Sequence, residues 1–260
     1  MTVAQLDQAL ADTLAKGNKI FIPYIMAGDG GLEQLPKQIN FLAEAGATAI
    51  ELGIPFSDPV ADGPTIQAAG LRALKQGIHL KSILTTLKQT KQKRSIPIIL
   101  MTYFNPLYVY GLERCLQDCL EAGVSGLIIP DLPLEEEGSI PKLMADYDLA
   151  FVRLATLTSS KERLTQIANR TSSFLYAVTV NGTTGERNDF ISSIGAYLAE
   201  LRAISPKPVI AGFGISTPEQ VKILANDCDG VIVGSKIVNS LHENKHQAIE
   251  QLIQATKQMD

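Results

Sequence analysis

Eight short runs rich in β-branched and other apolar residues recur along the 260-residue chain, at 20–25, 49–53, 97–101, 127–131, 150–154, 175–180, 208–212 and 230–234. Successive runs begin about thirty residues apart on average, the length of one strand–helix unit. Most read as continuous apolar stretches, as parallel strands do when both faces of their sheet are covered. Helical patterns fill the gaps, among them 32–45, 66–76, 112–122 and 194–204, and each stops near a Gly or shortly before a Pro. Eight such units predict a (β/α)8 barrel over 1–260 as one domain, with extra helices at the N- and C-terminal ends. A doubly wound sheet is the weaker alternative, because the repeats show no break into halves.

Composition narrows the functional classes. The chain is 45% hydrophobic and 19% charged, ordinary for a globular protein, and its length sits in the range where α/β barrels form single domains. A net charge of −4 is too small and of the wrong sign for a nucleic-acid-binding protein. The one basic run, at 88–94, reads as a solvated helix C-terminus. No apolar stretch approaches the ~18 residues of a membrane span, and residues 1–19 are interrupted by Asp, Gln and Lys, unlike a secretory leader. Three cysteines are too few for a disulfide framework. These features together predict a cytoplasmic protein.

A barrel places its chemistry at the C-terminal ends of the strands. The stretch after the second run, ELGIPFSDPVADGPTIQ at 51–67, dominates that end. Glu51 falls within the last apolar turn of the strand, where a carboxylate needs a partner or a task. Asp58 and Asp62 follow in a loop stiffened by Pro55, Pro59 and Pro64. Taken alone, Asp62-Gly63-Pro64-Thr65 also reads as a turn and a helix start, and Glu51 as half of a buried ion pair. Glycine-bearing loops follow the sixth, seventh and eighth runs: Asn181-Gly182-Thr183-Thr184-Gly185, Gly212-Phe213-Gly214 and Gly234-Ser235. Glycines let backbone N–H groups approach an anion, Gly234-Ser235 opens a helix, and the last loops of a barrel are its usual phosphate site.

Two common aldolase chemistries find no support. Lys19 and Lys207 lie at strand starts and Lys236 has already entered the last helix repeat, so none is placed to form a Schiff base. His79, His242 and His246 are away from strand ends. The i, i+4 pairs His242/His246 and Cys115/Cys119 have no further ligand nearby to complete a metal site.

The segment 51–67 closely resembles the signature of the tryptophan synthase α subunit family. The likeness extends through PYIMAGD at 23–29, MTYFNP at 101–106, IPDLP at 129–133 and GFG at 212–214, so it covers essentially the whole chain. It implies a lyase of tryptophan biosynthesis that cleaves indole-3-glycerol phosphate to indole and glyceraldehyde 3-phosphate. Such a substrate carries its own electron sink, because an indole protonated at C3 accepts the electrons of the breaking bond. Neither a lysine nor a metal is then required, and no cofactor is expected on this subunit. The resemblance implies Glu51 as the acid/base and Asp62 as the partner of the indole N–H. It further implies Tyr176 packing on the substrate, and Gly185, Gly214, Gly234 and Ser235 at its phosphate. Asp58, Pro59, Asn105 and Asp131 match positions that meet a pyridoxal-phosphate-dependent β subunit in an α2β2 tetramer, although such short side chains also cap backbone groups. Two features depart from expectation. Tyr24 stands where the family often has Phe, adding a hydroxyl near the indole pocket. Arg153 falls inside the fifth run, where a charge must either reach outward to water or mark a misdrawn strand. The rival readings are a non-catalytic regulatory partner of a β subunit and another phosphate-binding barrel enzyme: a sugar-phosphate isomerase or epimerase, or indole-glycerol-phosphate synthase.

Overall fold

A computed structural model describes residues 1–179, 187–212 and 214–257. Eight parallel strands close into a barrel in chain order: β1 (Ile20–Met26), β2 (Ile50–Gly53), β3 (Ile98–Met101), β4 (Gly126–Ile128), β5 (Ala150–Thr156), β6 (Leu175–Val178), β7 (Val209–Gly212) and β8 (Gly230–Val233). The seam closes where β1 pairs with β8, Ile20 opposite Gly230 and Pro23 opposite Val233. The described helices are α1 (Val3–Ala15), α2 (Leu35–Glu44), α3 (Pro64–Lys75), α4 (Leu80–Thr90), α5 (Phe104–Tyr110), α6 (Leu112–Ala122), α7 (Ile140–Asp146), α8 (Lys161–Arg170), α9 (Arg187–Ile204), α10 (Pro218–Asp227), α11 (Ser235–His242) and α12 (His246–Gln254). The barrel and the terminal helices predicted from the repeat are therefore present. Among the described residues, no helix is long and apolar enough to cross a membrane.

Side chains alternate between two cores. Along β1, Ile20, Ile22, Tyr24 and Met26 join a cluster with Ile99, Ile128, Val152, Ile210 and Ile232 inside the barrel. Phe21 and Ile25 pack outward under the helices with Leu35, Ile39 and Leu42 of α2. The strands read as continuously apolar because both faces are covered in this way. Leu6 and Leu10 of α1 belong to the inner cluster, so α1 stoppers the N-terminal mouth of the barrel and leaves the C-terminal mouth for chemistry.

Three sequence readings change. The fourth run was expected to extend to 131, but β4 ends at Ile128, because Pro130 has no N–H to donate and the chain turns there with Leu132 N–H bonded to the Ile129 carbonyl. The basic run at 88–94 is not simply a solvated helix end. Lys91 Nζ donates to the carbonyls of Leu120 and Glu121, and Arg94, buried, donates to those of Ala122 and Gly123. Those carbonyls lie at the end of α6, where Leu120 also accepts the Gly123 N–H and Gly123 takes a left-handed φ of 69°. Arg153 neither reaches water nor marks a misdrawn strand. It lies within β5 on the outward face, alternating with the inward Val152 and Leu154, and meets buried Glu137 in a two-pronged pair at 2.6 and 2.7 Å. Cys115 and Cys119 are buried in the outer core on α6.

Candidate active site

The alternation along β2 aims Glu51. Ile50 and Leu52 face the helices, whereas Glu51 stands beside Tyr24 and Ile99, both inward-facing, at the C-terminal end of the barrel. Its side chain is enclosed, with the residue 1% exposed, and neither carboxylate oxygen has a hydrogen-bond partner among the described residues. The buried-ion-pair reading therefore fails for Glu51. Burial disfavours its charged form and nearby Asp62 adds repulsion, so the carboxyl is pushed up to about 8. Glu51 is thus a neutral acid at pH 7.

Asp62 reaches the same space from the loop after β2. Gly63 precedes α3 with Pro64 at its first turn, so the helix-start reading holds for the backbone. The side chain has a separate role. Tyr103, buried after β3, donates its hydroxyl to the Asp62 carboxylate and accepts the Ala61 N–H at 3.0 Å, pinning the loop over the barrel mouth. Partial burial lifts Asp62 to about 6, with the Tyr103 bond opposing the rise. Behind the loop, Arg72 of α3 grips Asp29 with two bonds of 2.6 Å, tying α3 to the turn after β1.

Glu51 and Asp62 line one cavity of about 320 Å³ together with Tyr24, Tyr176, Gly214, Gly234 and Ser235. Tyr176 is buried on the inward face of β6, alternating with outward Leu175 and Ala177. Glycines seat both tyrosines: a Cβ on Gly53 would lie 1.9 Å from the Tyr24 hydroxyl, and one on Gly212 2.4 Å from the Tyr176 ring. Gly214 adopts φ 77°, a conformation only glycine takes freely, and Gly234 directly precedes α11. Gly214 and the start of α11, whose first N–H groups have no partner within the helix, line the same cavity, a setting for a phosphate. Gly185 lies outside the described residues. A larger cavity of about 980 Å³ shares Asp62, Gly63 and Gly214 and runs past Asp131 and Pro133.

A family profile described as tryptophan synthase alpha chain matches residues 10–260. The tryptophan synthase alpha chain of Oceanobacillus iheyensis is 51% identical over 97% of either chain, and that of Bacillus cereus is 50% identical over 94% of this chain and 95% of its own. The chain belongs to the tryptophan synthase alpha chain family. Solved structures agree. The alpha subunit from Legionella pneumophila superposes with a TM-score of 0.89 at 34% identity over the full length of both chains. A chain of tryptophan synthase from Mycobacterium tuberculosis does so with 0.87 at 28% identity over 96% of this chain and 98% of its own.

The molecule gathers Glu51, Asp62, Tyr176, Gly214, Gly234 and Ser235 at one cavity. The other four candidates lie at the same barrel end but do not line that cavity. Asp58 and Asn105 are exposed, Pro59 is half-buried, and Asp131 accepts the Phe104 N–H at 2.9 Å, capping the start of α5. Asp131 therefore has the local task that its residue type suggested. Sequence reasoning missed Tyr103 as the anchor of Asp62. It stands in the quoted segment 101–106, but its contact joins loops some forty residues apart, which no local pattern reports.

Proposed function

We propose that Glu51 and Asp62 divide the lyase chemistry of this family between them, the first as a proton donor and acceptor, the second as a fixed negative charge. The reaction is the cleavage of indole-3-glycerol phosphate in tryptophan biosynthesis. Neutral Glu51 gives its proton to indole C3, and the iminium nitrogen so formed is paired with the Asp62 carboxylate. The Glu51 carboxylate then takes the hydroxyl proton beside the scissile bond. The C–C electron pair moves into the ring, indole re-forms with hydrogen at C3, and glyceraldehyde 3-phosphate leaves as the aldehyde, with Glu51 neutral again. Every step is carried by these side chains and the substrate's own ring, so the reading needs no cofactor on this subunit. The observation that carries it is that enclosed, unpartnered Glu51 and loop-held Asp62 line one cavity, and burial pushes both carboxyls up, Glu51 to about 8 and Asp62 to about 6, in keeping with one neutral and one ionised group at pH 7.

Tyr176 and Tyr24 would flank the indole ring, and Gly185, Gly214, Gly234 and Ser235 would hold the phosphate. Asp58, Pro59, Asn105 and Asp131 would meet a β subunit in an α2β2 assembly that holds the pyridoxal phosphate, in the cytoplasm. Exposed Val60, in the loop of Asp58 and Pro59, and exposed Tyr108 and Val109, on the helix that carries Asn105, support that surface, since large apolar side chains left open beside these positions suit a covered face. The decisive assay is indole release from indole-3-glycerol phosphate by the purified chain, with and without a β subunit. Activity in the isolated chain separates a catalyst from a regulatory partner, and no release under either condition refutes the assignment.

The pH dependence follows from the two carboxyls. kcat/KM is expected to rise as Asp62 ionises near pH 6 and to fall as Glu51 loses its proton near pH 8. Asp62→Asn should cost about 10²-fold in kcat and remove the acid limb. It should also move the alkaline limb below 8, because the Asp62 charge helps to hold Glu51 up. A wild-type profile flat from about pH 5 to about pH 9 would refute the pairing of roles.

A further inference from the structure

The cavity that holds Glu51 and Asp62 is lined by one cationic side chain among its described residues, Lys236. The position is the second of α11, one residue beyond Ser235. Asn239 lines the same wall three residues on, so Ser235, Lys236 and Asn239 form one strip of α11 along the cavity. Lys236 is half-buried and makes no salt bridge or hydrogen bond among the described residues; its charge acts on Glu243 only at longer range, and Glu243 pairs directly with Lys245 at 2.7 Å. As an amine it is wrongly placed for Schiff-base chemistry, since it lies beyond the strand, within a helix. As a point charge it is well placed for an anion.

The charge balance of the cavity gives it a task. Besides Lys236, Tyr24 and Tyr176, its described titratable groups are the carboxyls of Glu51 and Asp62, and the chain as a whole carries −4. A phosphate dianion entering a mouth that already holds Asp62 is repelled by it, and backbone N–H groups with a helix N-terminus offset only part of that repulsion. A flexible ammonium at the edge of the N-terminal turn supplies the remaining counter-charge while keeping its own hydration until the ligand arrives.

Resting on the substrate reading above, we infer that Lys236 is a substrate-binding residue that contacts the phosphate of the substrate, with Asn239 beside it, adding a charged contact to the backbone cradle. The contact is made equally in ground and transition states, so it acts on KM rather than kcat. Lys236→Ala should raise KM for the phosphorylated substrate about tenfold with kcat within about twofold, the size expected for one charge-assisted contact at a half-exposed site. Lys236→Arg, which keeps the charge, should stay near wild type. The difference between wild type and Lys236→Ala should shrink at high salt, as screening removes the charge effect.

A titration of each purified variant with inorganic phosphate, followed by calorimetry, reads the contact without turnover. Lys236→Ala should weaken phosphate by the same factor as KM, while inhibition by indole, which has no phosphate, stays unchanged. Equal phosphate affinity and equal KM in wild type and Lys236→Ala would overturn the inference. If wild type releases no indole while phosphate binding still depends on Lys236, the substrate reading falls and the anion contact stands.

Discussion

Replacing Glu51 by Gln is expected to lower indole release by about 10³- to 10⁴-fold while leaving the binding of inorganic phosphate intact. The amide keeps the volume of the side chain and its burial, but it can neither give a proton to indole C3 nor take one from the hydroxyl. The same substitution should make the protein more stable at alkaline pH. Glu51 rises from an ordinary 4.5 to about 8 on folding, so between those values the folded state holds a proton that the unfolded chain has released. Stability attributable to this group is therefore full below about pH 4.5 and is lost as pH climbs through 8. At about 1.4 kcal/mol per pH unit, the loss is on the order of 5 kcal/mol at most. The substituted amide does not titrate and carries no such linkage. Denaturation midpoints of wild type and Glu51→Gln should nearly coincide near pH 4.5 and diverge toward pH 8, with the variant higher. Parallel curves across that range, or retained lyase activity, would remove Glu51 from the role assigned to it.

The second large effect lies away from the chemistry. Arg153→Ala should destabilise the fold by about 3–5 kcal/mol, the range for stripping one partner from a buried charge pair. Arg153 and Glu137 have side chains only 7% and 6% exposed, and their two bonds hold the segment before α7 against β5. Arg153 also donates to the Arg170 carbonyl at the end of α8 and lies 4.3 Å over the Phe151 ring. Its removal leaves the Glu137 carboxylate without its counter-charge in a dry setting. The double variant Arg153→Met, Glu137→Leu removes both charges and fills the space, so it should recover at least half of the loss. Urea titrations with an unchanged slope provide the measurement. A single-variant loss below about 1 kcal/mol would show that water or a shifted side chain satisfies Glu137 in place of the arginine.

Much of the fold was legible without coordinates because it depends on local, repeated signals. A strand buried on both faces must be apolar along its length, and a strand–helix unit has a set length. Eight repeats of that unit are enough to name the barrel. Strand ends were less legible. The fourth run stayed apolar through Ile129, yet β4 stopped at Ile128, because ladder pairing and the missing N–H of Pro130 decide the end rather than hydropathy. Glu51 was legible for the same reason as the barrel: a carboxylate inside an apolar run is conspicuous, and its inward aim follows from the period of two that carries Ile50 and Leu52 outward.

What the sequence by itself determined, then, was the eightfold repeat, the end of the barrel to look at, and two carboxylates that line the cavity there. The tertiary structure alone decided which groups surround those carboxylates. Tyr103 anchors the loop of Asp62, Asp62 raises Glu51, Arg94 closes the end of α6, Glu137 meets Arg153, and Lys236 turns out to line the cavity. Hydropathy and turn signals act between residues near in sequence. A proton's affinity, or a charge's partner, depends on groups within a few ångströms in space, and closing the barrel is what brings residues from separate strand–helix units to that distance.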